Sequence, residues 1–165
     1  MCAVALARHA GARVIGSVRS SSEEPAARMA GAHEVVLNDD GLVAGVKAMA
    51  PEGVGHIVEV AFGANIDADI EMLKMGGSIG AYATDDATPK IPFWLMVFKN
   101  IRVFFLGSDD FPAEAKAAAA RELDDALQAG WPGFEIGERI PLAEIARAHE
   151  LVEHPARRGR VVVTV

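Results

Sequence analysis

The run Ser17-Val18-Arg19-Ser20-Ser21-Ser22 sets one guanidinium among four hydroxyls, at the end of the apolar stretch Arg13 to Val18. If that stretch is a strand, the loop lies at its carboxyl end, where open α/β sheets bind ligands. Arginine supplies a full charge and a two-pronged donor, and serines add hydrogen bonds. Such a set suits the 2′-phosphate of a dinucleotide. A domain that reads a free 2′-hydroxyl places an acid there instead. A polar loop capping the next helix would use the same residues, and both readings stand at this level.

Three other strand ends offer chemistry. Ala61-Phe62-Gly63-Ala64-Asn65 has a glycine that lets backbone approach a flat ligand, or it is a plain strand-to-helix turn capped by Asn65. Ala81-Tyr82-Ala83-Thr84 and Phe105-Leu106-Gly107-Ser108 follow the next two candidate strands. Tyr82 either lines a pocket or packs. His149 falls on an apolar helix face, where a satisfied core histidine is expected rather than a catalyst. The acid pairs Asp39-Asp40, Asp85-Asp86 and Asp109-Asp110 fall at loops and helix starts and read as caps. No Ser-His-Asp order, phosphate-loop motif or carboxylate pair stands out, G-x-G-x-x-G is absent, and no catalytic acid or base is expected.

One cysteine and five scattered histidines provide no spacing for a metal site. A net charge of -7 disfavours nucleic acid, and the basic group Arg157, Arg158 and Arg160 reads as a solvated turn. No apolar run reaches the roughly 20 residues of a membrane span, and the start lacks the pattern of a signal peptide. A cytoplasmic protein is expected.

The elements that must hold these residues alternate between β-branched runs and alanine-rich helices, as in a parallel α/β sheet. Candidate strands are Arg13 to Val18, Glu34 to Leu37, His56 to Val60, Ser78 to Tyr82, Ile101 to Leu106 and Gly159 to Val165. Helices are expected from Ser22-Glu23-Glu24-Pro25 to Gly31, from Asp110-Phe111-Pro112 to Gly130, and from Pro141 onward. Ala115, Ala119, Leu123, Ala126 and Leu127 share one helix face, and Leu142, Ile145, Ala146, His149 and Val152 another. Met1 to Ala10 reads as a helix ending at Gly11, with no cap before it. A doubly wound domain sets a strand and a glycine-rich turn ahead of such a helix. The expectation is therefore a domain without its first strand and phosphate loop. In the strand order 3-2-1-4-5-6 that strand is central. Its loss means a collapsed sheet, a gap filled by another chain, or a marginal fold.

The order of short motifs is more specific than any one of them. Gly11-Ala12-Arg13-Val14-Ile15-Gly16-Ser17 is followed by Ala30-Gly31-Ala32-His33-Glu34-Val35, Val58-Glu59-Val60 with Gly63, and Gly76-Gly77-Ser78-Ile79. Lys99-Asn100, Pro141-Leu142 through Ala148-His149-Glu150, and Gly159-Arg160-Val161-Val162 complete the series. In this the chain resembles the nucleotide-binding part of the NADPH:quinone oxidoreductase (zeta-crystallin-like) family of the medium-chain dehydrogenase/reductase superfamily. The resemblance implies a Rossmann-like doubly wound parallel sheet over residues 1–140. It also implies a helix and strand over 141–165 that return to a catalytic domain. NADPH is the implied cofactor, a quinone or electron-poor alkene the implied hydride acceptor, and zinc is not expected in this branch. Ser17, Arg19 and Ser20 would lie near the 2′-phosphate, and Phe62, Gly63 and Ala64 beside the adenosine or ribose. Tyr82, Ala83 and Thr84, then Phe105 and Leu106, would lie on the nicotinamide side. A homodimer through the strand Ile101 to Leu106 is implied as well. The alternatives are a non-catalytic nucleotide-binding or dimerisation module, or an inactive gene fragment.

Overall fold

The computed structural model describes residues 2–131, 133–154 and 159–165. Two compact units divide the chain, one spanning residues 3–120 and the other 121–165. The first unit alternates helix and strand: α1 (Cys2–His9), β1 (Ile15–Val18), α2 (Glu24–Met29), β2 (Glu34–Leu37), α3 (Leu42–Met49), β3 (Val54–Glu59), α4 (Phe62–Met72), β4 (Leu73–Ala81), α5 (Phe93–Phe98) and β5 (Arg102–Phe105). A long helix, α6 (Ala113–Gln128), leads into the second unit, which holds β6 (Ile136–Pro141), α7 (Ile145–Glu153) and β7 (Arg160–Thr164).

All strand pairs are parallel, in three sheets ordered β1-β2, β3-β4-β5 and β6-β7. The parallel α/β class expected from the sequence is what forms, with β1-β2 and β3-β4-β5 as separate sheets and no pairing between β1 and β3. The two pieces share a floor. Val36, Leu42, Val46 and Met72 are buried together, with Ile15 of β1 and Val54 and Ile57 of β3 packed against them. A second cluster joins Phe62, Ile66 and Ile70 of α4 to Ile79 and Ala81 of β4. Each residue there buries an aliphatic or aromatic side chain, the main source of stability in such a unit.

Local signals account for the boundaries. Pro25 sits in the first turn of α2, where its missing N–H costs nothing. Gly31 and Gly130, at φ of +101° and +97°, end α2 and α6 in the left-handed region that glycine tolerates. The end of α4 is held differently. Lys99 Nζ donates to the carbonyls of Ile70 at 2.6 Å, Leu73 at 2.9 Å and Glu71 at 3.3 Å. Lys99→Met should therefore lower stability by about 2–3 kcal/mol, the value of charge-assisted bonds to partly buried acceptors. Urea denaturation checks this; a loss below about 0.5 kcal/mol would mean that water replaces the ammonium.

Several expectations are corrected. β6 was not expected, because Gly137, Glu138 and Arg139 hide its alternation, and Pro141 is its last residue rather than a helix start. After Pro141 a single 3-10 turn precedes α7. The faces assigned to α6 and α7 are not buried: of their residues only Ala126 is, and His149 is exposed while its neighbour Ala148 turns inward. Periodicity defines a stripe but not what covers it. The basic group is divided, since Arg157 and Arg158 lie outside the described residues. Arg160, in β7, sets its guanidinium 5.0 Å above the Phe134 ring.

Candidate functional site

β3 runs into α4 through a two-residue turn, and backbone bonds tie that turn to the neighbouring strand exits. Tyr82 N–H donates to Glu59 O at 3.2 Å, Phe62 N–H to Ala83 O at 3.1 Å, and Leu106 N–H to Ala81 O at 2.9 Å. The ends of β3, β4 and β5 thereby surround one cleft of about 490 Å³, within the size range of small-molecule sites. Phe62, Tyr82, Ala83, Thr84, Phe105 and Leu106 line it, together with Pro89 and Gly107. Six residues singled out in the sequence thus meet in one place. Phe62, 2% exposed, is its floor, and the Phe105 ring meets it edge-on at 5.2 Å.

Gly63 stands beside this cleft. Its N–H donates to Thr84 Oγ1 at 3.2 Å, and a Cβ there would lie 2.9 Å from that oxygen and 3.1 Å from Asp86 Cβ. Glycine is what lets the loop after β4 close onto the first turn of α4. Ala64 follows within the same turn and is exposed.

Ser17, Arg19 and Ser20 do not line this cleft; they form their own group at the exit of β1. Arg19 N–H donates to Glu23 Oε2 at 3.0 Å, so the acid fixes the loop backbone. Among the described residues the Arg19 guanidinium has no partner. Ser20 heads a 3-10 turn without a side-chain cap bond, and its Oγ lies 2.7 Å from that of Ser22. Neither Ser20 nor Glu23, the residues that head the 3-10 turn and α2, makes a side-chain cap bond.

The sequence reading assigned no role to the buried acids. Glu59 Oε1 accepts Val60 N–H at 2.7 Å, Ala61 N–H, and Asn65 Nδ2–H at 3.1 Å. Glu59 therefore fixes the two-residue turn ahead of α4, whose N-cap residue Ala61 makes no side-chain cap bond, and Asn65, expected as the cap, lies inside the helix. Asp69, one turn further on, is 2% exposed and its Oδ2 has no hydrogen-bond partner. Burial raises its pKa from 3.8 to about 8, and the Glu59 carboxylate adds to the shift. The available signal was an acid within an apolar strand run, Val58-Glu59-Val60, with a helical Asn65 and Asp69 one turn apart.

No described residues form a group of three or more His, Cys, Asp or Glu able to hold a metal ion. No described helix is long and apolar enough to cross a membrane.

Parallel strands, helix crossovers and a cleft at the carboxyl ends of β3–β5 define a Rossmann-like nucleotide-binding unit. The profile of the zinc-binding dehydrogenase family matches residues 1–121, and the chain belongs to that family, within the medium-chain dehydrogenase/reductase superfamily. Among curated relatives, the quinone oxidoreductase of Lama guanicoe is 25% identical over 99% of this chain and 50% of its own length. That of Pongo abelii is 26% identical over 93% and 47%. The chain spans about half the length of the curated relatives it matches. A mycobacterial quinone oxidoreductase structure superposes with a TM-score of 0.88 at 24% identity, covering 99% of this chain and 52% of that one. A 2-haloacrylate reductase gives 0.87 at 22%, covering 98% and 52%. A mycobacterial protein complexed with NADPH gives 0.79 at 23%, covering 98% and 52%. These structural likenesses establish the fold. The zinc in the family's name has no donor set among the described residues.

Proposed function

We propose that this chain is the nucleotide-binding part of an NADPH-dependent reductase that passes hydride to a quinone or another electron-poor alkene. The observation that carries the reading is the Arg19 guanidinium at the exit of β1, without a partner among the described residues, in the same unit as the apolar cleft at the exits of β3, β4 and β5. A quinone and a haloacrylate, the compounds named for two relatives, are both electron-poor acceptors. NADPH, which a third relative binds, supplies the hydride, and the protein supplies placement and electrostatics. Ser17, Arg19 and Ser20 hold the 2′-phosphate. Phe62, Gly63 and Ala64 lie against the adenosine or ribose, and Tyr82, Ala83, Thr84, Phe105 and Leu106 border the nicotinamide. No side chain acts as acid or base. Residues 1–140 serve as the nucleotide domain, and residues 141–165 lead back toward the substrate-binding part of the enzyme.

The reading includes a cytoplasmic homodimer. β5 leaves its outer edge unpaired, with Phe104 and Phe105 51% and 71% exposed. A second copy pairing there would cover an edge otherwise open to aggregation.

The test of the cofactor assignment is Arg19→Ala. NADPH affinity should fall by roughly 10- to 100-fold, as expected for a lost charge-assisted phosphate contact, while NADH affinity stays within about twofold. Equal affinity of the unaltered chain for the two nucleotides would remove the 2′-phosphate site.

A further inference from the structure

Glu59 ties the turn between β3 and α4 to its surroundings in two ways. Its carbonyl accepts Tyr82 N–H at 3.2 Å, and its Oε1 accepts the turn amides of Val60 and Ala61. Asn65 Nδ2 reaches both carboxyl oxygens, at 3.1 Å and 3.2 Å. Phe62 and Gly63 come next in the chain, and their N–H groups donate to Ala83 O and Thr84 Oγ1 at the cleft. The Glu59 carboxyl thus holds the turn from which the cleft floor starts.

Asp69 meets that carboxyl from inside α4. Four positions after Asn65, it lies on the same side of the helix. It is 2% exposed, hydrogen-bonds to the Glu59 side chain, and leaves Oδ2 without a donor. Two buried carboxyls in contact share one proton, because a second negative charge there is costly. The three N–H groups on Glu59 favour its ionised form, which puts the proton on Asp69. The elements packed against α4 bring other titratable groups, and these are placed elsewhere. His56 of β3 bonds to Ser78, Lys47 of α3 pairs with Glu71 at 3.8 Å, and Lys74 of β4 is exposed. Lys99, after α5, holds the carbonyls of Ile70, Glu71 and Leu73. Of these groups only Glu59 bears on Asp69.

We propose that Glu59 and Asp69 are a positioning pair for the nucleotide cleft, in which the proton that Asp69 donates to Glu59 keeps that carboxylate on the turn amides. The occupant of the cleft rests on the nucleotide reading, while the pair itself stands on the bonds around Glu59. When Asp69 gives its proton to solvent, two like charges face each other. Glu59 then leaves Val60 and Ala61, the turn ahead of Phe62 and Gly63 loosens, and nucleotide affinity falls as pH rises.

Amide proton shifts of the full chain, followed from about pH 6 to about pH 9 with and without NADPH, test this. Val60 and Ala61 should move together with a midpoint at about pH 8, while Val36 of β2 does not follow. NADPH affinity should drop by about fivefold over the same range. Asp69→Asn, whose amide donates to Glu59 at every pH, should lose both steps. If that variant does not fold, Glu59→Gln serves, since it carries no charge to repel Asp69 and should flatten both. Three results overturn the pair: Val60 and Ala61 unmoved across the range, steps that persist in the variants, or a flat affinity while the two amides move. Failure of the nucleotide reading looks different. No NADPH then binds at any pH, and the amide step alone upholds or overturns the pair.

Discussion

Phe62→Ala should cost about 3–5 kcal/mol of stability, the range for deleting a buried aromatic ring. The side chain is 2% exposed and lies in the cluster with Ile66, Ile70, Leu73 and Ile79. It also supports the exposed Phe105 ring edge-on. The deletion thus hollows the first turn of α4 and removes the cleft floor at once. Phe62→Leu, which keeps much of the volume, should cost clearly less. Chemical denaturation of the two variants measures the difference. A loss below about 1 kcal/mol for the alanine variant would show that the cluster collapses into the space and that Phe62 does not organise the cleft.

The second large effect is a pH dependence set by Asp69. Its folded-state pKa, raised from 3.8 to about 8, means that the folded chain keeps a proton the unfolded chain releases. Stability is then fully present below about pH 4 as far as this group is concerned. It falls as pH rises through the window up to about 8, by at most about 1.4 kcal/mol per pH unit. Asp69→Asn keeps the shape and cannot ionise, so its profile should be flatter across that window. The variant should be the more stable protein near pH 8.5 by several kcal/mol and close to the unaltered chain near pH 4. Urea midpoints at the two pH values decide the matter. An unaltered chain with a flat profile between them would mean that Asp69 gains solvent or a donor when it ionises.

The fold was legible where a single strand carries its own pattern. Glu34 to Leu37 is β2 without correction, and the parallel class followed from continuous apolar runs separated by helices. β6 was not legible, since Gly137, Glu138 and Arg139 mask a strand that is fixed by its pairing with β7. The site was legible as strand ends, because the loops after β1, β3, β4 and β5 could be read one at a time. What the sequence could not supply was their grouping: the exits of β3 to β5 enclose one cleft, while Arg19 and its serines stand at the exit of β1. The Glu59–Asp69 pair escaped for a related reason. Ten positions separate the two acids, and only a strand followed at once by a helix brings both carboxyls into the interior. The faces of α6 and α7 failed in the opposite sense, as stripes with correct spacing and little burial.

The central claim is that the carboxyl ends of these strands hold one dinucleotide. Mapping backbone amide shifts on the full chain during titration with NADPH tests it most directly. The account predicts saturable changes together at Arg19 and Ser20, at Gly63 and Ala64, at Ala83 and Thr84, and at Leu106, with little change at Gly53 or Ile101 near the opposite strand ends. Changes confined to those opposite ends, or none at any nucleotide concentration, would contradict it.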